Sequence, residues 1–389
     1  MKILHTADWH VGKVLKNQPR FDEHRAVLAD LVRIADAEDV DLVVVAGDLF
    51  ETSSPNPQAQ GLVMKTLLRL RADGRHVVVL AGNHDNQRLV DEVYRTVLGE
   101  VGIHVVGLPK PATRGGTLRL PMRDGTTAQV AVLPFLAYRY AVRAAEIVLS
   151  ETSDHSRAYA NQVGVILDSL TSTFADDTVN IVTTHATLLG GRWGGGERQA
   201  QTLLGYELPA NLFPAGAHYA ALGHLHRYQE IDGPCPIAYS GSPLALDFGE
   251  EANDPVALVV HANPGTRARV RPVPVRGGRP LRTLRGSFEQ VVDEGRRCAD
   301  EPFFRVILAQ QASAGLADRI RDALPGVLEV QIDEAFRPRA TGQVRTGPSR
   351  LGKSPTELFA DFLTESQVDD ARVGNLFAEL LDEVTGGHG

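Results

Sequence analysis

Five short segments carry side chains of the kinds that hold divalent cations: Asp8-Trp9-His10, Gly47-Asp48, Gly82-Asn83-His84-Asp85, Thr184-His185 and Gly223-His224-Leu225-His226. Carboxylate, imidazole and amide donors without thiolate suit Mn2+, Fe2+ or Zn2+ in a reactive site better than a closed structural zinc. Asp8 and His10 stand two apart, as do His224 and His226. In continued strand geometry each pair projects to one side and can chelate one ion. Singly these motifs say little, because a Gly-Asp often makes a turn and a lone histidine is usually a surface or core side chain. Together they are informative, because each follows an apolar run of strand type. In an open α/β sheet the carboxyl ends of the strands share one rim, so residues beyond five such ends can converge although far apart in sequence.

The elements that must position them alternate in the first third of the chain. Lys2–Ala7, Asp41–Ala46 and His76–Ala81 are strand candidates. Asp22–Asp39, Pro57–Arg71 and Gln87–Leu98 are helix candidates, the first with Val27, Leu28, Leu31, Val32 and Ala35 along one stripe. That rhythm predicts an α/β domain with parallel strands. From residue 129 the pattern becomes strands and loops with one helix near Arg157–Ala175, which predicts a second sheet packed on the first. Residues 190–196, Gly-Gly-Arg-Trp-Gly-Gly-Gly, read as a mobile surface loop. Pro272, Pro274, Gly277, Gly278 and Pro280 mark a boundary, followed by a helix, strand, helix, strand run from Ser287 to Ile332. The division expected is a metal-site domain over 1–275, a small α+β capping domain over 276–337, a linker over 338–353 and a helical hairpin over 354–389.

In that tail Ser354, Pro355 and Glu357 form a capping box with proline at its preferred position. Leu358, Phe359 and Phe362, then Leu376, Phe377 and Leu380, draw two apolar stripes that two short helices cannot bury on each other, which predicts a partner-binding hairpin. The chain of 389 residues has a net charge of −8, but eight carboxylates beyond residue 354 face Arg372 alone, so the body is close to neutral. Two acid-free basic stretches, one including Arg282 and Arg285 and the other Arg337, Arg339 and Arg345, offer contacts for a polyanion. The two cysteines, Cys235 and Cys298, are far apart with no CxxC, which fits a reducing compartment, the cytoplasm. No stretch approaches the ~20 apolar residues of a membrane span.

The order DxH, GDxx, GNHD, H, GHxH resembles the calcineurin-like metallophosphoesterases and, within them, the DNA double-strand-break repair nucleases, closest to the bacterial exonuclease subunits of the SbcD type. The resemblance extends to Tyr239-Ser240-Gly241-Ser242-Pro243, to Asp247-Phe248-Gly249-Glu250 and to the Ser354-Pro355-x-Glu357-Leu358-Phe359 tail, and so spans essentially the whole chain. It implies a two-sheet α/β sandwich flanked by helices. It also implies two Mn2+ ions, with Mg2+, Fe2+ or Zn2+ as substitutes, one held by Asp8, His10, Asp48 and His226 and the other by Asp48, Asn83, His185 and His224. Asp48 would bridge them, and a water between such cations becomes acidic enough to attack a phosphodiester near neutral pH. His84 resembles the family's general acid, with Asp85 to orient it. The resemblance further implies an SbcC-type coiled-coil ATPase as partner in a two-plus-two assembly, acting in DNA repair, recombination and replication. Its activities would be ATP-dependent 3′ to 5′ double-strand exonuclease and single-strand or hairpin endonuclease, in the cytoplasm at the nucleoid. The chain lacks GxxxxGK[ST], so the partner would bind the ATP. Some relatives place a histidine directly after Gly-Asp-Leu-Phe; here that position is Glu51, a departure that bears on the balance of exonuclease and endonuclease action. A phosphatase or cyclic-nucleotide phosphodiesterase with the same metals, and a non-catalytic DNA tether, are the competing readings. The remaining histidines read as structural or surface residues, and Trp9 as packing beneath the site.

Overall fold

The computed structural model describes residues 1–137, 152–197, 207–337, 355–365 and 372–377. The chain divides into two compact units, Met1–Phe336 and Arg337–Gly389. The first begins with Lys2–Thr6 (β1), a short hairpin of Val14–Leu15 (β2) and Gln18–Pro19 (β3), Phe21–Ala37 (α1), Leu42–Val45 (β4), Pro57–Leu70 (α2) and His76–Leu80 (β5). A π-helical turn, Leu89–Tyr94, then runs into Arg95–Gly99 (α3), and Ile103–Val106 (β6) follows. Strands β1, β4, β5 and β6 are parallel neighbours in that order. Helix α2 starts where it does because Asn56 accepts the Ala59 amide and Pro57 occupies the first turn.

Thr117–Pro121 (β7), Thr127–Leu133 (β8), Thr152–Thr171 (α4), Val179–His185 (β9), Tyr219–Gly223 (β10), Gln229–Ile231 (β11) and Ile237–Tyr239 (β12) build the second sheet, in the order β11-β12-β10-β9-β8-β7. Its four inner strands are parallel and its two edge strands antiparallel. Val256–Asn263 (β13) and Thr266–Pro274 (β14) then return to the first sheet, where β13 pairs antiparallel with β1. The sequence pattern grouped these two strands with the second sheet. Alternation does not reveal which β-edge a strand will join, because both sheets offer apolar faces of the same period.

The strands of the first sheet are apolar on both faces because both are covered. Ile3, Leu42, Val44, Val78 and Leu80 face Val130, Val132, Ile181, Tyr219 and Ala221 of the second sheet, while Leu4, Val43, Val45, Val77 and Val79 face the stripes of α1 and α2. Beyond the second sheet, Leu133, Val182, Ala220 and Leu222 pack on Tyr159, Val163, Leu167 and Leu170 of α4. The result is four layers, helix, sheet, sheet, helix, the sandwich expected from the motifs. His5 ties the sheets together: its Nδ1 lies 2.8 Å from the Tyr219 hydroxyl and its Nε2 3.1 Å from the Leu222 carbonyl. Burial lowers its pKa to about 3, so it serves as a neutral core group.

Leu281–Gly286 (β15), Phe288–Arg296 (α5), Phe303–Leu308 (β16), Leu316–Ala323 (α6) and Val327–Ile332 (β17) form a parallel three-stranded sheet with two helices. Leu281 and Phe303 of this sheet share a small core with Leu15 and Phe248. In the second unit Pro355–Glu365 (α7) and residues 372–377 are helical, and Phe359 stacks on Phe377 with ring centroids 3.9 Å apart. Leu358, Phe362 and Leu376 remain exposed. Ser354, Leu380, Arg339, Arg345 and the linker 338–353 lie outside the described residues. No helix among the described residues is long and apolar enough to cross a membrane.

Candidate metal centre

All five ligand segments leave the carboxyl ends of parallel strands. Asp8 and His10 follow β1, Asp48 follows β4, Asn83 and His84 follow β5, His185 closes β9, and His224 and His226 follow β10. The rim is shared by two sheets rather than one, and a direct contact joins them: His185 Nδ1 lies 2.8 Å from the Ala46 carbonyl oxygen. Gly47 lies under this contact at φ +96°, and a Cβ there would stand 2.4 Å from His185 Nδ1, so only glycine lets the strand ends approach so closely.

The Asp8–His10 pair converges by a different route from the one its spacing suggests. Strand β1 ends at Thr6, and Asp8, His10, Asp48 and His224 have φ of 54°, 45°, 51° and 103°, left-handed backbone instead of continued strand. Such values are uncommon outside glycine, asparagine, aspartate and histidine, and cost of order 1–3 kcal/mol each unless the surroundings impose them. Here the loops are zipped together: the amides of Asp8, His10 and Val11 donate to the carbonyls of Gly47, Asp48 and Leu49, each at 3.0 Å.

Three groups of donor atoms result, each within 4.8 Å: Asp8, His10 and His226; His10, Asp48 and His84; and Asp48, His185 and His224. His224 and His226 therefore fall into different groups and do not chelate as a pair, because the left-handed turn at His224 separates their directions. Asp48 Oδ2 lies 3.5 Å from His10 Nε2 and 3.3 Å from His185 Nε2, a position between the two outer groups. Asn83 Oδ1 lies 2.9 Å from both His185 Nε2 and His224 Nδ1.

The charges at this centre act strongly on one another. Asp8 is wholly buried and raised to about 7 by desolvation, with Asp48 adding to the effect. Burial also opposes charge on Asp48, yet His185 and His10 hold its carboxyl well below the usual range. Burial drives His224 well below the usual imidazole range and His10 to about 4. Desolvation works against His185 and His226 as well, but Asp48 lifts the first to about 9 and Glu250 the second to about 10. His10 Nε2 is buried and has no hydrogen-bond partner. An orphaned imidazole nitrogen among carboxylates and further imidazoles, with no thiolate, fits hard or borderline divalent cations.

His84 sits on this rim, its ring 4.6 Å from that of His10 and its amide donating to Asp48 Oδ1 at 2.8 Å. The expectation that Asp85 orients it is corrected. The Asp85 carboxylate is taken up by the amides of Gly82, Leu49 and Phe50 at 2.9, 3.2 and 3.1 Å, and the His84 Nδ1 instead meets the Glu51 carbonyl oxygen at 2.8 Å. One residue beyond His84 and two beyond the candidate ligand Asn83, Asp85 faces inward and latches the Asp48 loop to the Asn83 loop. Trp9 is fully buried beneath the site, with its indole N–H on the Thr6 hydroxyl, as expected.

Around the candidate ligands, Glu197 and Glu250 escaped sequence reasoning, and Glu51 stood out there only as a departure from relatives, without a partner. Glu51 Oε2 lies 3.0 Å from His10 Nδ1, and its other oxygen accepts from Lys13. Glu250 Oε1 lies 2.7 Å from His226 Nδ1, and Glu197 accepts the His226 amide at 2.8 Å. The only hint was their place beside motif segments, Glu51 after Gly-Asp-Leu-Phe and Glu250 at the end of Asp-Phe-Gly-Glu. The glycine-rich loop is not the free surface segment expected. Gly194 is buried, its amide donates to Glu197, and the Trp193 ring lies 6.0 Å from that of His224. Arg282 is ion-paired to Asp300 at 2.8 Å, Arg285 lies 4.0 Å from Asp333, and Arg337 belongs to the second unit.

Comparison with known proteins gives a consistent picture. Residues 1–228 match the calcineurin-like phosphoesterase family, and residues 278–367 match the type 5 capsule protein repressor C-terminal domain. The SbcD component of the SbcCD nuclease of Bacillus subtilis is 33% identical over 398 residues, covering 99% of this chain and 98% of its own length. That of Rhodobacter capsulatus is 33% identical over 383 residues, covering 90% of this chain and 93% of its own. That of Escherichia coli K12 is 30% identical over 412 residues, covering all of both chains.

Proposed function

Since the chain belongs to the calcineurin-like phosphoesterases, on the branch of the SbcD components of SbcCD nucleases, we propose that it hydrolyses DNA phosphodiester bonds at the rim formed by β1, β4, β5, β9 and β10. It is a hydrolase of the phosphodiesterase and nuclease type, and its family works with divalent metal ions. In this reading Asp8, His10 and His226 hold one ion, Asn83, His185 and His224 the other, and Asp48 serves both. The oxygen and nitrogen donors suit Mn2+, Fe2+ or Zn2+, and we favour Mn2+ among them from the resemblance to the nuclease family. When bound, two such cations supply Lewis-acid neutralisation of the phosphodiester and an acidified water.

The protein's own groups do the rest. Asp48 offsets the repulsion of two cations, because its carboxylate lies between the two sets of imidazoles. The Asp85 latch keeps the loops bearing Asp48 and Asn83 in register. His84 protonates the departing sugar oxygen. With its Nδ1 against the Glu51 carbonyl, that nitrogen must carry a proton, so the ring has a second proton to give from Nε2 only when doubly protonated.

By extension from relatives named as components of SbcCD, the partner is an SbcC-type ATPase that engages Leu358, Phe359, Phe362, Leu376, Phe377 and Leu380. The sheet of β15, β16 and β17 caps the DNA, with Arg282, Arg285, Arg337, Arg339 and Arg345 as candidate phosphate contacts. DNA ends and hairpins are the substrates, and the assembly is a two-plus-two complex in the cytoplasm at the nucleoid. One observation supports the nuclease reading: ligand-type side chains from five strand ends meet in overlapping donor groups linked through His10 and Asp48, with His10 Nε2 buried and without a hydrogen bond. The test is Mn2+-dependent cleavage of a labelled DNA hairpin by wild type and Asp48→Ala, beside cyclic AMP and a phosphomonoester. Wild type should cut the hairpin and the variant should not; turnover of the monoester with the hairpin left intact would instead make this a phosphatase.

A further inference from the structure

The two halves of the metal centre differ in what stands behind their histidines. On the side of Asp8, both imidazoles are backed by carboxylates: His10 Nδ1 by Glu51 Oε2 at 3.0 Å and His226 Nδ1 by Glu250 Oε1 at 2.7 Å. Both carboxylates are themselves fixed. The second oxygen of Glu250 accepts the Leu246 amide at 2.7 Å, and that of Glu51 accepts Lys13 Nζ at 3.1 Å. Gly196 presses main chain against Glu250, where a Cβ would come 2.0 Å from Oε1, so the glycine-rich loop closes over this pair. On the other side His185 Nδ1 rests on the neutral Ala46 carbonyl, while His224 turns its Nδ1 toward the candidate ligand Asn83 Oδ1, a contact inside the donor cluster and not behind it. Among the described residues, no carboxylate except the shared Asp48 is hydrogen-bonded or ion-paired to either of these imidazoles.

We propose that Glu51 and Glu250 are positioning residues that make the two cation sites unequal, the Asp8–His10–His226 site binding its ion first and more tightly. The proposal rests on the dinuclear reading above. An N–H···carboxylate contact holds the imidazole with Nε2 toward the cation and raises its donor strength, and losing such a partner typically lowers metal affinity about 10–100-fold. Two such contacts on one site and none on the other separate the two binding steps by at least about tenfold on the same scale. Glu51 has a second consequence: its carboxylate fixes His10 and its carbonyl fixes His84, so one residue sets the geometry of a ligand and of the proton donor.

The experiment is titration of Mn2+ into metal-free full-length protein, followed by calorimetry and by electron paramagnetic resonance. Wild type should show two resolved steps, with an isolated-ion spectrum at one equivalent and a spin-coupled pair only after the second. Glu51→Gln and Glu250→Gln should each weaken the tighter step about 10–100-fold and leave the weaker one in place, so that coupled pairs already form at one equivalent. Asn83→Ala should weaken the other step alone. Two equal steps in wild type, or both glutamine variants keeping the wild-type pattern, would overturn the proposal while leaving a dinuclear enzyme. Fewer than two ions bound by wild type would take down the dinuclear reading and the proposal together. Should Glu250→Gln not fold, Glu51→Gln decides the matter, since Glu51 is partly exposed.

Discussion

Replacing His84 by alanine separates proton donation from metal binding. The side chain contributes two contacts, the Nδ1 hydrogen bond to the Glu51 carbonyl at 2.8 Å and the edge-on approach to the His10 ring at 4.6 Å. At about 0.5–1.5 kcal/mol each, their loss costs roughly 1–3 kcal/mol, which a fold stable by about 5–15 kcal/mol survives. The contact that matters to the metals is the His84 amide on Asp48 Oδ1, and a main-chain donor is unaffected by truncation of the side chain. Metal stoichiometry should therefore stay at the wild-type value while cleavage falls by about 10²–10⁴, the contribution of a general acid, equivalent to about 2.7–5.4 kcal/mol of barrier. The assay is single-turnover cleavage of a DNA hairpin in Mn2+, paired with a nucleoside 5′-(p-nitrophenyl phosphate) ester whose nitrophenolate leaves without a proton. The ester should lose about tenfold or less. Equal losses on both substrates would refute proton donation, and loss of an ion would make His84 a ligand.

Three further outcomes follow from the same geometry. Asp85→Ala strands three amides that its carboxylate now satisfies, and at 1 kcal/mol or more apiece it should cost about 3 kcal/mol or more in urea unfolding; a change below about 1 kcal/mol would deny the latch. With His185 lifted to about 9 by Asp48 and His226 to about 10 by Glu250, against the opposing effect of burial, both carry protons at neutral pH in the metal-free protein. Cation uptake must then release about two protons from these imidazoles and part of one more from Asp8, raised to about 7 by burial; apparent Mn2+ affinity should climb with pH, and binding heats should depend on the buffer's ionisation enthalpy. The same raised values stabilise the metal-free fold below about pH 6.5, and that contribution is lost as the pH rises through about 9 to 10. In the second unit, Phe362→Asp with Leu376→Asp should weaken ATPase-partner binding about 10²–10⁴-fold, from about 1.5–3 kcal/mol per apolar anchor, while isolated hairpin cleavage stays unchanged. Unaltered affinity in a pull-down against a titrated partner would remove these helices from the interface.

Periodicity and spacing alone gave three strands and three helical stretches of the first third, though not β2, β3, β6 or β7, and placed each candidate ligand at or just beyond a strand end. Those are local properties: an apolar run of alternating β-branched residues followed by Gly-Asp or Gly-Asn reads the same in any context. The apolar stripes of the tail and its departure from the body's charge balance were legible for the same reason. What the tertiary structure decided was pairing. Only three-dimensional contact shows that Val256–Asn263 rejoins β1, that the rim belongs to two sheets, and that the left-handed turn at His224 puts it and His226 in different donor groups. Glu197 and Glu250 likewise acquire a role only from what they touch, since an isolated glutamate beside a motif reads as an ordinary solvated charge, and Glu51, marked as a departure, gains its partner His10 only in the fold. Left-handed backbone at Asp8, His10 and Asp48 could not be read from residue type, because the loops adopt it under hydrogen bonds made to one another across distant strands. Sequence specifies the donors through local chemistry; the fold chooses their directions and partners, because both depend on packing between segments far apart along the chain.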